Sequence, residues 1–116
     1  MCSILVIDDE QAILNVLERS LNLFGHDVQI AVDGKDGIQK FEKSLFDVVI
    51  TDINMPDIDG FGVARHIRKS RRPETPIIAL TGAPWLLEGK AESFDKIIEK
   101  PFQLQSLDDT VKEFIN

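Results

Sequence analysis

"VVITDINMPDIDG", residues 48–60, runs from an apolar stretch into acid, then proline, then more acid. A continuous apolar run such as Val48-Val49-Ile50 reads as a strand buried on both faces of a parallel sheet. The strand is expected over Phe46–Thr51, so Asp52 follows its carboxyl end and Asp47 stands near its other end. Asp57 and Asp59 come after Met55-Pro56, on a turn leading into a helix whose amino terminus favours negative charge. Which aspartate does chemistry depends on what else in the chain can reach it.

The same pattern recurs on either side. Ile4–Ile7, Val28–Val32, Pro76–Leu80 and Lys96–Glu99 read as further strands. Helical spacing links Ile13, Val16, Leu17, Leu21 and Phe24, with Gly25 placed to stop that helix. Asp33 is an N-cap candidate for a helix through Ile38 and Phe41. Gly60 to about Ser70 is a helix with Val63 and Ile67 inward, a short helix is expected around Leu86–Ser93, and a last helix carries Leu104, Leu107, Val111, Phe114 and Ile115 on one face. Five repeats of strand then helix demand an α/β fold: a doubly wound parallel sheet, covered on both faces, with right-handed crossovers. Ligands of such sheets bind beyond the carboxyl ends of the strands.

With 116 residues and 43% hydrophobic composition, the chain is expected to form one domain over 1–116. The net charge of −7 disfavours nucleic acid or an anionic membrane as the main partner. The only cysteine, Cys2, allows no internal disulfide and no Cys-rich zinc site, and is expected to be passive. Ile4–Ile7 is too short for a signal peptide or a membrane span, so a cytoplasmic location is expected.

Polar residues follow four of the strands: Asp8 and Asp9, Asp52, Thr81, and Lys100 before Pro101. All of them converge on one rim of the sheet. Carboxylates a few ångströms apart need a cation or a raised pKa, and hard oxygen ligands suit Mg²⁺. Carboxylate, Mg²⁺, hydroxyl and lysine are together the parts needed to transfer a phosphoryl group to an aspartate.

With "VIDDE" (6–10), "DVVITDINMPDIDGF" (47–61), "PIIALTG" (76–82) and "EKPF" (99–102) in this order, the chain resembles the receiver domain of bacterial two-component response regulators over nearly its whole length. The resemblance implies a flavodoxin-like (βα)5 fold with strand order 2-1-3-4-5. It implies Asp52 as phosphoacceptor, and Thr81 and Lys100 as groups holding phosphoryl oxygens. Mg²⁺ would be held by Asp9, by Asp8 mostly through water, by Asp52 and by the backbone carbonyl of Asn54. The Lys100–Pro101 bond is expected to be cis. The implied partners are a sensor histidine kinase or a histidine phosphotransfer protein and a downstream protein target. The protein would be a monomer or a weak phosphorylation-linked dimer. It would catalyse only its own phosphorylation and dephosphorylation, without being an enzyme on other substrates. The alternative is a pseudo-receiver, a protein-interaction module independent of phosphate.

Two features depart from the family. Ile97 stands where it usually has Tyr or Phe, and the segment from Thr81 to Lys100 is about three residues short, with Ser93-Phe94-Asp95 in place of a Gly-Ala-Asp turn. The fourth helix is therefore expected to be shortened, with Trp85, Leu86 and Leu87 either packing as core or forming a docking cluster. Asp57-Ile58-Asp59-Gly60 imitates the nucleophile motif of haloacid-dehalogenase-type phosphohydrolases but lacks the buried strand directly before it, and the spacing is not that of an EF-hand. The basic run Arg65–Arg72 is expected to be a helix end and solvated loop rather than a docking patch, and neither His26 nor His66 has a partner at ligand spacing.

Overall fold

The structure, a computed structural model, describes residues 2–87, 89 and 93–115, apart from the side chain of Leu86. The elements are β1 (Ser3–Ile7), α1 (Gln11–Leu23), β2 (Asp27–Ala31), α2 (Gly34–Lys43), β3 (Val48–Asp52), α3 (Gly60–Arg68), β4 (Ile77–Thr81), a 3-10 turn (Pro84–Leu87), β5 (Lys96–Glu99) and α4 (Leu104–Glu113). The five strands are parallel, in the order β2-β1-β3-β4-β5. This is the expected flavodoxin-like arrangement.

The apolar runs become the central strands because both their faces need cover. Every residue of β3 and β4 is buried, whereas the edge strands β2 and β5 are partly exposed. Side chains alternate between faces. Ile4, Val6, Val48, Ile50, Ile78 and Leu80 pack under α1 and α4. Leu5, Ile7, Val49, Ile77 and Ala79 pack under α2 and α3.

Local signals set the helix boundaries. Asp33 caps α2, its Oδ1 accepting from Asp36 N at 2.7 Å, and Asp59 caps α3, its Oδ1 accepting from Gly62 N at 2.9 Å. Gly25, at φ +96°, follows the last turn of α1 as expected of a helix stop. Asp47 lies far from the acidic rim and accepts from Ser3 N at 2.8 Å.

Several boundaries differ from the sequence expectation. Asp52 and Thr81 are the last residues of their strands rather than the first beyond them, because ladder pairing continues one residue further. Val32 falls outside β2 and is exposed. Of the helix expected around Leu86–Ser93, Leu86 and Leu87 end a 3-10 turn that begins at Pro84; residues 88 and 90–92 lie outside the described residues.

The basic run is less solvated than expected. Arg68 donates to the carbonyls of Pro73, Thr75 and Ser93 and to Asp95 Oδ2, tying the end of α3 to the starts of β4 and β5. Arg72 donates to the Phe41 carbonyl and lies 4.6 Å over that ring.

Gly60 lets α3 start directly against the end of β3: a Cβ there would stand 2.6 Å from the Asp52 carbonyl oxygen and 2.8 Å from Ile53 Cα. These are backbone atoms that cannot yield. Gly60→Ala should therefore lower stability by about 1–3 kcal/mol in urea unfolding despite alanine's better helix propensity. Gly82, with nothing within 4 Å of its Cβ position, should accept alanine within about 0.5 kcal/mol.

Candidate functional site

Strand parity decides which polar residues meet. Asp8 continues the Ile4–Val6 row, Asp52 the Val48–Ile50 row and Lys100 the row of Ile98, all on the α1/α4 face. β1 and β3 are neighbours, with Ile7 beside Thr51, so Asp8 and Asp52 end adjacent strands side by side. Lys100 Nζ reaches both, at 3.6 Å from Asp8 Oδ2 and 3.4 Å from Asp52 Oδ1. The Lys100–Pro101 bond is cis, as expected.

Both carboxylates are buried, Asp8 completely. Asp8 Oδ1 accepts from Glu10 N and Asp52 Oδ1 from Ile53 N, each at 2.9 Å. Asp8 Oδ2 has no hydrogen-bond partner. Burial pushes the Asp8 carboxyl up to about 6, helped by the charge of Asp52 and opposed by the Glu10 N–H and Lys100. Burial also raises Asp52, against the pull of Lys100 and the Ile53 N–H.

Glu10 joins them, and sequence reasoning had passed over it. Carboxylate oxygens of Asp8, Glu10 and Asp52 lie within 4.8 Å of one another. Glu10 occupies the N-cap position of α1, yet its side chain caps no N–H. The signal was present in "DDE", where a third acid follows the expected pair. Asp9 is exposed and is not one of the three, and Asn54 is exposed on the turn after β3.

Three carboxylates against one ammonium leave the pocket short of positive charge, and the buried, unpartnered Asp8 Oδ2 is a ready oxygen ligand. The residues present therefore fit a hard divalent cation such as Mg²⁺.

Thr81 is buried on the opposite parity, in line with Ile77 and Ala79. Its Oγ1 accepts from Ala83 N at 3.0 Å. Ile97 lies against Ala79 in the ladder and packs on the α2/α3 core, where Leu87 and Phe94 also sit. Trp85 is 68% exposed. The apolar cluster expected at this loop thus divides: Leu87 is core and Trp85 is surface.

A carboxyl whose pKa rises on folding destabilises the fold above that pKa, and ceases to as pH falls through it toward the unfolded value. Asp8→Asn should accordingly stabilise the metal-free protein at pH 8 by about 1–3 kcal/mol. The gain should disappear near pH 4, where Asp8 is protonated. Paired urea titrations of variant and wild type at the two pH values measure both.

The family model for the response regulator receiver domain matches residues 4–112, which include every strand-end residue described above. The transcriptional regulatory protein TrcR of Mycobacterium tuberculosis is 36% identical over 107 residues, 90% of this chain and 41% of that protein. The response regulator ArlR of Staphylococcus saprophyticus is 32% identical over 92% of this chain and 49% of its own length. The chain thus spans less than half the length of these curated relatives. Among solved structures, the chemotaxis response regulator CheY4 of Vibrio cholerae superposes with a TM-score of 0.89 at 32% identity, covering 99% of both chains. The response regulator TrrA of Thermotoga maritima, in complex with Mg²⁺-BeF, gives 0.89 at 34% identity, covering 99% of this chain and 100% of that one. Sequence match and fold agree over the whole sheet, and the chain belongs to the response regulator receiver domain family of two-component systems.

Proposed function

We propose that this domain is a phosphorylation-dependent signalling switch. It accepts a phosphoryl group on Asp52 from the histidine of a sensor kinase or of a histidine phosphotransfer protein. The observation that carries this reading is the buried Asp8–Lys100–Asp52 constellation with its unpartnered carboxylate oxygen. A carboxylate oxygen of Asp52 attacks phosphorus, a P–O bond forms, the P–N bond to the donor imidazole breaks, and the imidazole leaves with that electron pair. Ile53 N–H and Lys100 hold Asp52 in place. Lys100 then meets a phosphoryl oxygen, and Thr81, turned away from Ala83, donates its hydroxyl to another.

Asp8, Glu10 and Asp52 would hold Mg²⁺, with Asp9 and the Asn54 carbonyl as the further ligands the family resemblance implies. The bound ion supplies positive charge against the phosphoryl oxygens. Water later hydrolyses the acyl phosphate, so the domain acts on its own side chain only. A groove of about 500 Å³ borders Lys100, with Ile13, Val16, Phe102 and Leu104 among its walls, and offers apolar footing for the donor protein. The partners are that donor and a downstream protein. No direct nucleic-acid contact is proposed for this domain. No helix among the described residues is long and apolar enough to cross a membrane, and the domain is assigned to the cytoplasm as part of this proposal.

Acetyl phosphate with Mg²⁺ should add one phosphoryl group, about 80 Da by intact mass, as an aspartyl phosphate requires. Asp52→Asn should abolish the addition and Asp57→Asn should not. A wild type that takes up nothing would make the domain a phosphorylation-independent module. At 100 times its dissociation constant, Mg²⁺ should stabilise the wild type by about 2.7 kcal/mol, with most of that gain lost in Asp52→Asn.

The switch itself has an optical reporter. Trp85 stands two residues beyond Ala83, whose N–H is held by Thr81. Beryllofluoride, a phosphoryl mimic, should change the emission of Trp85, the only tryptophan, in the wild type and leave it unchanged in Thr81→Ala. Unchanged emission at saturating mimic in the wild type would show that the turn does not report the switch.

A further inference from the structure

The opposite end of the sheet carries a second buried polar cluster that phosphoryl chemistry does not use. Cys2 precedes β1 and His26 precedes β2, so both lie at the amino ends of the strands. Asp108 comes from α4, on its core-facing stripe beside Leu107 and Val111. These groups are strung in line. Lys112 Nζ lies 3.0 Å from Asp108 Oδ2, Asp108 Oδ1 2.7 Å from His26 Nε2, and His26 Nδ1 3.3 Å from Cys2 Sγ. Cys2, His26 and Asp108 are 4%, 7% and 0% exposed.

We propose that this array is a proton-sensitive latch, with His26 as its switching group, that pins α4 to the segment following α1. A carboxylate on the buried stripe of a helix weakens packing unless a fixed partner meets it, and here the partner comes from 82 residues away. Both imidazole nitrogens have a partner in two states that differ by one proton. With His26 neutral, Nε2–H donates to Asp108 and Nδ1 accepts from the Cys2 thiol. With His26 protonated, both nitrogens donate: the Asp108 bond becomes an ion pair, and the sulfur turns from donor to acceptor.

The neighbours of His26 keep their own charge in both states. Burial pushes the Cys2 thiol up to about 11, so it stays protonated. Burial would also raise Asp108, but hydrogen bonds from His26 and Lys112 outweigh it and hold the carboxyl below its usual value, so it stays ionised. Among the described residues, the charged or titratable groups around the imidazole are Cys2 from the head of β1, Asp108 and Lys112 from α4, and Asp47 from the head of β3, which acts through Cys2.

The consequence falls on α4. Its helical residues past Leu104 are held by Leu107 and Val111 in the core and by this bond, and His26 lies three residues beyond the end of α1. Protonation of His26 makes the bond charge-assisted, so α4 is held more firmly as pH falls.

The test is NMR on the full chain between pH 5 and 8. The His26 ring signals, told from those of His66, the only other histidine, by His66→Gln, should shift in step with the protection of α4 amides. After correction for intrinsic exchange, protection of α4 amides relative to those of β3 should rise about fivefold from pH 8 to pH 5. Cys2→Ala, which removes the donor to the neutral imidazole, should move the His26 midpoint upward and keep the rise. Asp108→Asn should move the midpoint downward and remove the rise, with β3 amides still protected. A His26 ring that does not titrate in the wild type, or α4 protection independent of pH there, would overturn the latch whether or not the variants fold. A rise retained in folded Asp108→Asn would overturn it too.

Discussion

Two carboxylates buried side by side, with one ammonium between them, are the constraint around which this domain is arranged. Asp8 and Asp52 end neighbouring parallel strands, and Lys100 answers both from 3.4–3.6 Å. Burial disfavours each negative charge, and one lysine cannot neutralise two carboxylates with Glu10 beside them. The apolar strands on either side supply the stability that holds this arrangement together. The pocket is poised to gain from an added cation, and Lys100 is poised to meet an added anion. A phosphoryl switch needs both capacities at one place.

The opposite end of the sheet solves a similar problem differently. Cys2, His26, Asp108 and Lys112 are strung in line within the protein, joined by hydrogen bonds on either side of the imidazole and by an ion pair at Lys112. The charge of Asp108 is answered from inside the protein, by His26 at Oδ1 and by the Lys112 ammonium near Oδ2. Both clusters lie on the α1/α4 face, and α4 follows Lys100 by only a few residues. That helix therefore runs between the acidic rim and the cluster around His26.

The strand positions and the main acidic pair were legible because their signals are local, whereas the strand order followed only from the family resemblance. Continuous apolar runs such as Val48–Ile50 mark strands buried on both faces, and each is followed by a polar residue at a fixed place. Glu10 was harder to see: its backbone position suggests a cap, and only the trajectory of the chain after β1 turns its carboxylate toward Asp52. Arg68 and Arg72 read as a solvated helix end because composition records charge. The carbonyls of Pro73, Thr75, Ser93 and Phe41 that they satisfy come together only once α2, α3 and the strands are packed.

The sequence by itself determined the alternation of strand and helix, the cap at Asp33, and the convergence of Asp8, Asp52 and Lys100 on one rim. Each depends on periodicity or on a neighbour a few residues away. Tertiary structure alone decided that Thr81 starts on the other parity with its hydroxyl held by Ala83, and that Leu87 is core while Trp85 is surface. It also decided that His26 meets Asp108 across 82 residues. Contacts at that separation depend on which faces the crossovers bring together, and a linear pattern carries no record of distance through the core.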